Sequence, residues 1–234
     1  MKIRTSPANR AINQSGFTLI EMIGVLAVIA ILAAVLIPKV FEAINNARVN
    51  NAAMGVNSVK TACIDHYAKF GTFPVDGSGA TPVALTAAQQ STFDQTLMKE
   101  GFMDKPFQVK IGDGIPENST AAADTTHTRI EIVAAQAATV AAAGTGAVFD
   151  LDGDKGAAGT SKNDATGTWV VEAVITGVQV ADAQALNRAI DGSTTTLGEG
   201  GQGTPGADFG GRVEYAAPAG AGQPVTVYIY LTHR

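Results

Sequence analysis

Residues 16–38 have the sequence GFTLIEMIGVLAVIAILAAVLIP, and this stretch decides the class of protein. Residues 17–37 are almost wholly apolar, and as an α-helix they are about 32 Å long. A helix of that length matches the roughly 30 Å hydrocarbon core of a bilayer. The stretch therefore predicts a membrane-spanning helix near the N-terminus.

The residues before this stretch form a basic leader. Residues 1–16 carry three basic side chains and no acidic one, which predicts that the N-terminus stays in the cytoplasm. An ordinary secretory signal has its small-residue cleavage site after the apolar region. Here the apolar run continues through Pro38 into polar helix, and a glycine precedes it instead. Cleavage after Gly16 would keep the apolar helix in the mature protein.

Glu21 places a carboxylate within the apolar run. A charged carboxylate in a lipid-facing segment costs roughly 2.5–3.5 kcal/mol on insertion scales, so we expect a partner or a functional role for it. The alternative is that Glu21 lies close enough to the interface to reach water.

The stretch Gly16-Phe17-Thr18-Leu19-Ile20-Glu21 resembles the prepilin cleavage and methylation motif of type IV pilins and type II secretion pseudopilins. The resemblance includes the basic leader, the glycine before the cut, the phenylalanine after it, and a glutamate as fifth residue of the mature chain. Pro38 falls where these proteins usually carry a helix-bending proline.

The resemblance implies cleavage after Gly16 by a prepilin peptidase and N-methylation of Phe17. It also implies that Glu21 pairs with the N-terminal amine of a neighbouring subunit in a homo-oligomeric helical filament. Two charges that are each costly in an apolar core would neutralise one another, so Glu21 would fix the register of assembly rather than add much stability.

The resemblance further implies partners and a location. The expected partners are other pilins or minor pseudopilins, a prepilin peptidase and methylase, an assembly ATPase and an inner-membrane platform. The subunit would begin as a single-pass inner-membrane protein and end in a filament in the periplasm or at the cell surface. The sequence leaves open a type IV pilus or a type II secretion pseudopilus, and a membrane-tethered binding protein is a further alternative.

We expect an α+β fold with the lollipop shape of pilins, in four segments. Residues 1–16 are the cleaved leader, 17–38 the transmembrane and filament-core half of a long helix, 39–70 its amphipathic half, and 71–234 a globular, β-rich head. On the amphipathic half, apolar residues recur at spacings of three and four, which predicts one face packed on the head. These residues are Val49, Ala52, Val56, Val59, Cys63, Tyr67 and Phe70.

The head is predicted to be an antiparallel sheet laid on the long helix and connected by loops rich in Gly, Ala and Thr. Two short helices are expected at 86–100 and at Asp182–Ile190, the second with Asp182 as its N-cap. The strand candidates are Phe107–Ile111, Arg129–Ala134, Ala147–Asp150, Thr168–Ile175, Arg212–Tyr215 and Val225–Leu231.

Asp150, Asp152 and Asp154 form the cluster with the clearest potential for chemistry. Three carboxylates at alternate positions of a glycine-containing turn can converge on calcium, which takes oxygen ligands. The pattern departs from an EF-hand, because Lys155 stands where a glycine is required. A plain Asp/Gly turn after a strand is the alternative.

Other features indicate no catalytic or nucleic-acid function. The net charge is −5, so there is no direct indication of nucleic-acid binding, and the single cysteine excludes an internal disulfide. Cys63 lies on the apolar stripe, where we expect it to act as a small hydrophobic core residue rather than as half of a metal site with His66. The three histidines lie far apart, and neither a Gly-x-Ser-x-Gly nor a His-Glu-x-x-His motif occurs. Nothing in the sequence supports an enzyme.

Overall fold

The computed structural model describes residues 16–73, 93–105, 107–113, 128–134, 149, 151, 169–192 and 210–233. It contains the helices α1 (Leu19–Phe70), α2 (Phe93–Lys99) and α3 (Val180–Asp191). The strands are β1 (Arg129–Ala134), β2 (Trp169–Val178), β3 (Val213–Tyr215) and β4 (Val225–His233). A long N-terminal helix followed by an antiparallel sheet confirms the predicted α+β class.

The chain divides into two compact units, Met1–Ala43 and Ile44–Arg234. The described part of the first unit consists of residues 16–18 and the apolar start of α1. By length and composition, α1 contains a window apolar enough to cross a membrane, and this window is not buried within the chain. Such a helix near an N-terminus agrees with the predicted membrane anchor.

The second unit contains a four-stranded antiparallel sheet in the order β1-β2-β4-β3. Side chains alternate between its two faces, as the pleat of a strand requires. One face carries the main core, which includes Ile132, Ile175 and Ile229. On the other face Phe149 and Val170 form a smaller buried cluster with Tyr230.

The part of α1 within the second unit packs its apolar stripe into the main core. The predicted stripe is confirmed for five residues, which are Val49, Ala52, Val56, Val59 and Cys63. It is wrong for Phe70, which is 48% exposed, and Tyr67 is only partly buried. His66 takes the buried place near the helix end, because it lies three residues after Cys63 on the same face.

The segment Phe107–Ile111 is predicted from its pattern to be a strand, and this prediction is wrong. Phe107, Val109 and Ile111 are buried in alternation, which is why the sequence pattern resembles a strand. The segment is nevertheless not a strand of the sheet, and just after it Asp113 N donates a hydrogen bond to β2, at Thr176 O (2.8 Å). The register of β2 against β4 shifts between Ile175 and Val178, so β2 bulges where this segment meets it.

The short helices differ from the prediction at their N-terminal ends. α3 begins at Val180 after an extended Gln179, so Asp182 lies in its first turn and is not the N-cap. An acidic residue is favoured at both places, at the N-cap by hydrogen bonding and in the first turn by the helix dipole. The predicted end of α3 before Gly192 is confirmed. α2 is confirmed over Phe93–Lys99, and residues 86–92 lie outside the described residues.

The remaining strand predictions agree with the structure within a few residues where they can be compared. β3 starts one residue later than predicted, at Val213, whereas β2 and β4 extend further, to Val178 and His233. Of the candidate strand Ala147–Asp150 only Phe149 is described, and it is not in a strand.

Candidate functional site: the N-terminal segment

The first unit exposes an apolar band, which we define as residues 17–37. Its large apolar side chains lie at 43% exposure or more. The exposed members are Phe17, Leu19, Ile20, Met22, Ile23, Val25, Leu26, Val28, Ile29, Ile31, Leu32, Val35, Leu36 and Ile37. An apolar surface that is continuous around a helix is typical of a segment placed in lipid or against other apolar helices.

Glu21 is engaged with Thr18 at the start of α1. The Glu21 carboxylate oxygen Oε2 accepts hydrogen bonds from Thr18 N and Thr18 Oγ1, each at 2.7 Å. The Glu21 backbone N–H donates in turn to Thr18 Oγ1 at 3.3 Å. The two residues therefore form a capping box, in which Thr18 caps the helix and Glu21 satisfies the cap's own N–H.

Gly16 and Phe17 precede the helix and are exposed. Among the described residues, a Cβ placed on Gly16 would meet no atom within 4 Å, so no contact within that part of the chain requires a glycine there. The peptide bond after Gly16 lies in a non-helical, exposed segment, the kind of backbone that a peptidase can bind.

Pro38 lies inside α1, which continues without interruption from Leu19 to Phe70. Since Pro38 has no N–H, one intrahelical hydrogen bond is missing at this point. Along the helix Pro38 is about 25 Å from Glu21, so the structure does not bring these two predicted residues together. One residue later the apolar band is replaced by a surface ion pair between Lys39 Nζ and Glu42 Oε2 (2.9 Å).

The predicted calcium ligands Asp150, Asp152 and Asp154 lie outside the described residues. Among the residues that the structure describes, no group of three or more His, Cys, Asp or Glu side chains could hold a metal ion. Cys63 is buried in the main core, as predicted for a small hydrophobic residue.

Thr18 is the residue at this site that the sequence reasoning missed. The available signal was the spacing Thr18-x-x-Glu21 directly before an apolar run, which is the usual signature of a capping box. The resemblance implied a partner for the Glu21 carboxylate in a neighbouring subunit, whereas Thr18, three residues earlier in the same chain, already donates a hydrogen bond to it.

Comparisons with known proteins concern this same segment. Residues 12–37 match the family model of the prokaryotic N-terminal methylation motif. The chain is similar to the type IV major pilin protein PilE of Neisseria gonorrhoeae, with 30% identity over 88 residues, which is 38% of this chain and 53% of the relative. It is also similar to a fimbrial protein of Neisseria meningitidis serogroup A, with 31% identity over 88 residues, which is 38% of this chain and 52% of the relative.

The chain thus spans about half the length of these curated relatives. No solved structure matches the chain at a significant level.

Proposed function

We propose that this chain is a member of the type IV pilin family and a structural subunit of a type IV pilus-like filament; the methylation-motif match and the similarity to pilus proteins support this proposal. The observation that carries the proposal is an N-terminal methylation motif leading directly into an apolar band whose large side chains are exposed. In this proposal the chain is cleaved after Gly16, Phe17 becomes the N-methylated first residue, and the apolar band joins the bundle of helices at the filament centre.

The exposure of the apolar band supports a subunit that needs an apolar environment throughout its life. Burying one Val, Leu, Ile, Phe or Met side chain is favourable by roughly 1.5–3 kcal/mol relative to water. The band carries many such side chains, so it cannot remain in water. A bilayer before assembly and the helices of neighbouring subunits after assembly provide the same kind of surroundings.

The exposed side of the next part of α1 supports close packing against other subunits. A helix that faces water usually carries charged residues opposite its apolar stripe. Between Val49 and Val59 the exposed side chains of α1 are instead uncharged. They are Asn50, Asn51, Met54, Asn57 and Ser58. Four of these five are short polar side chains, which can form hydrogen bonds between closely packed helices.

Glu21 would serve as the group that fixes the register between subunits. In the single chain its carboxylate is satisfied by Thr18 at the very end of the helix. After cleavage the new amine of Phe17 would lie at the same end, so a neighbour shifted along the filament axis could present its amine to Glu21. A subunit out of register would leave a carboxylate and an amine unpaired in an apolar core, which is unfavourable.

The first experiment is an intact-mass and N-terminal peptide measurement on protein isolated from its native membrane. We expect a mature chain that starts at N-methylated Phe17. Gly16→Val should block cleavage, whereas Gly24→Val should be processed normally. The two glycines are a matched pair, because an added Cβ meets no atom within 4 Å at either. A wild-type chain that still starts at Met1 in cells with an active prepilin peptidase would favour the membrane-tethered binding protein.

The second experiment tests Glu21 after processing. Glu21→Gln should be cleaved and inserted normally but should yield far fewer filaments in the fraction sheared from cells. Glu42→Gln is the matched control, because Glu42 is also an exposed glutamate of α1 and pairs only with Lys39 among the described residues. Normal filament yield with Glu21→Gln would exclude a role for the carboxylate in register.

The names of the relatives favour a pilus over a type II secretion pseudopilus, since both are pilus proteins by name. The proposed partners are further copies of the chain, other pilins, a prepilin peptidase and methylase, an assembly ATPase and an inner-membrane platform. The proposed location is the inner membrane before assembly and the cell surface afterwards. Deletion should abolish surface filaments and adherence or surface motility. Accumulation of exoproteins inside the deletion strain would instead assign the chain to a pseudopilus.

A further inference from the structure

We infer that His66, Thr72 and Glu100 form a proton-dependent latch that docks the segment of residues 93–105 onto the C-terminal end of α1. We call these three residues the His66 latch. The inference does not rest on the proposed function, because all three residues belong to the second unit.

The geometry of the latch is defined by the two ring nitrogens of His66. Nδ1 lies 2.8 Å from the backbone oxygen of Thr72, just beyond the end of α1. Nε2 lies 2.7 Å from Glu100 Oε2, at the end of α2. The imidazole side chain is only 5% exposed, while the Glu100 side chain is 33% exposed. The ring thus connects α1 to two separate segments from a buried position.

Both partners of the ring are acceptors, and this requires one proton more than a neutral histidine supplies. A backbone carbonyl only accepts, so Nδ1 must carry a hydrogen and donate it to Thr72 O. A second hydrogen must lie between Nε2 and the Glu100 carboxyl group. A neutral imidazole has one N–H, so the extra proton belongs to the His66–Glu100 pair, as an imidazolium beside a carboxylate or as a neutral ring beside a carboxylic acid.

Aromatic rings enclose the pair and strengthen its electrostatics. The centroid of the imidazole lies 4.8 Å from that of Phe70 and 5.4 Å from that of Phe102. Because these rings replace water around the imidazole, the attraction between opposite charges there is stronger than at an open surface. The partial exposure of Phe70 is therefore explained by its role as a cover for His66.

Two charged groups lie close to the aromatic rings of the latch. Lys69 Nζ lies 5.0 Å from the Phe70 centroid and 5.3 Å from the Phe102 centroid. The Glu100 carboxyl group is in direct contact with the imidazole, at 2.7 Å. The other titratable side chains of these two segments are Cys63, Asp65 and Tyr67 on α1, Lys99 at the end of α2, and Asp104 and Lys105 after it.

Loss of the shared proton would open the latch. The Nε2 lone pair would then face a carboxylate oxygen, so that two acceptors lie in contact without a hydrogen between them. The last turn of α2 and the residues after it would lose this connection to α1, although Leu97 would still be held in the core. The surface of the second unit near Phe102 would then change with the proton concentration.

The test uses the full chain in detergent micelles. A titration of ring-¹⁵N-labelled histidine, assigned with the His127→Gln and His233→Gln variants, gives the pH at which the pair loses its proton. Hydrogen exchange of residues 93–105, followed by mass spectrometry on either side of that pH, then reports the docking. At each pH the exchange of a variant is compared with that of the wild type, which removes the intrinsic effect of pH on exchange.

The wild type should lose protection in residues 93–105 by roughly tenfold to a hundredfold when the proton leaves, the range expected for one charge-assisted hydrogen bond. Glu100→Gln should keep its protection, because the amide N–H can donate to the neutral Nε2. Glu100→Ala should show low protection at both pH values. Asp104→Asn makes the same change in charge at an exposed site and should behave like the wild type. The inference would be overturned if the protection of residues 93–105 in the wild type did not change across that pH. It would also be overturned if Glu100→Gln lost as much protection as the wild type.

Discussion

Asp191 offers a sharp test of how the head is held together, because its carboxylate links the end of α3 to the start of β3. Asp191 Oδ2 accepts hydrogen bonds from the backbone N–H groups of Arg212 and Val213, both at 2.9 Å. Gly211 is in a left-handed conformation (φ 87°), and a Cβ there would lie 2.7 Å from the same oxygen. The carboxylate therefore orients the turn into β3.

The role of Asp191 in this geometry is that of an acceptor rather than that of a negative charge. Burial raises the pKa of Asp191 above 3.8, and it outweighs the hydrogen bonds from Val213 and Arg212 and the Arg212 charge, which lower the pKa. The guanidinium does not help through direct contact, since its buried Nε and Nη2 atoms have no hydrogen-bond partner among the described residues. A neutral acceptor of the same shape should therefore be tolerated.

The expected loss of stability in each variant depends on whether an acceptor remains for the two backbone N–H groups. Asp191→Ala leaves two backbone N–H groups without their acceptor, which costs about 2–4 kcal/mol if each loses 1–2. Asp191→Asn keeps an oxygen with two lone pairs and should lower the free energy of unfolding by no more than about 1 kcal/mol at pH 7. Gly211→Ala should resemble Asp191→Ala, since its Cβ would displace the same carboxylate.

The contribution of Asp191 to the stability of the head should fall as the pH rises. A carboxyl group with a raised pKa in the folded state binds protons more tightly there, so its contribution to stability is complete below 3.8 and is lost as pH rises through the folded pKa. The Asn variant has no such loss. Its stability relative to the wild type should therefore improve when the pH is raised from about 4 to 7, across the ordinary Asp range.

Urea unfolding of the full chain in micelles measures these differences. Trp169, the only tryptophan, is buried in the main core and provides the fluorescence signal. If Asp191→Asn is as unstable as Asp191→Ala at pH 7, the negative charge and not the acceptor would hold the turn, and the assignment of Asp191 as a neutral-tolerant acceptor would be refuted.

Three further predictions address other parts of the structure. Gly112→Ala should destabilise the head by more than about 2 kcal/mol, because φ is 70° and the new Cβ would overlap the backbone oxygen of Thr176; Gly101→Ala, with φ 79° but open space, should cost only about 1 kcal/mol in the same urea assay. Leu97→Ala should cost about 2–5 kcal/mol, because Leu97 is fully buried, and an unfolding midpoint equal to that of the wild type would show that α2 does not close the core. Thr18→Val should lower the amount of chain inserted in the membrane whereas Thr18→Ser should not, because only serine keeps the hydroxyl that donates to Glu21 before assembly; equal amounts of inserted chain from the two variants would argue against the capping box.

The N-terminal half of the fold could be predicted because its signals are local. The apolar band, the stripe of α1 and the stop at Gly71 (φ 71°) each depend on residues that are neighbours in sequence. The wrong strand prediction arose because one segment has the burial pattern of a strand without being part of the sheet. Phe107–Ile111 alternates between core and solvent as a strand does, but the segment is not a strand, and the register of β2 shifts between Ile175 and Val178 beside it.

The buried polar contacts could not be predicted, because they join residues far apart in sequence. His66 meets Glu100 across 34 positions, and Asp191 meets Val213 across 22. Periodicity marked the helix face on which His66 lies, yet it assigned Phe70 to the core, since an apolar residue at the end of a stripe is expected inside. In the structure His66 is buried and Phe70 is exposed. His66 is buried because both of its ring nitrogens have an oxygen partner there, and the Phe70 ring covers the imidazole.

Glu21 shows the same principle at the membrane end of the chain. A carboxylate in an apolar segment is tolerable only while donors satisfy it, and in the single chain Thr18 supplies two of them. If a neighbouring amine replaces Thr18 during assembly, the exchange is nearly balanced: hydrogen bonds within one chain are given up for an ion pair between two chains. The energetic gain of assembly must then come mainly from the packing of the apolar bands, while the ion pair determines which relative positions of the subunits are permitted. Filament yield should therefore respond to Glu21→Gln through loss of register rather than through loss of the monomer from the membrane, and the amount of membrane-inserted chain distinguishes the two.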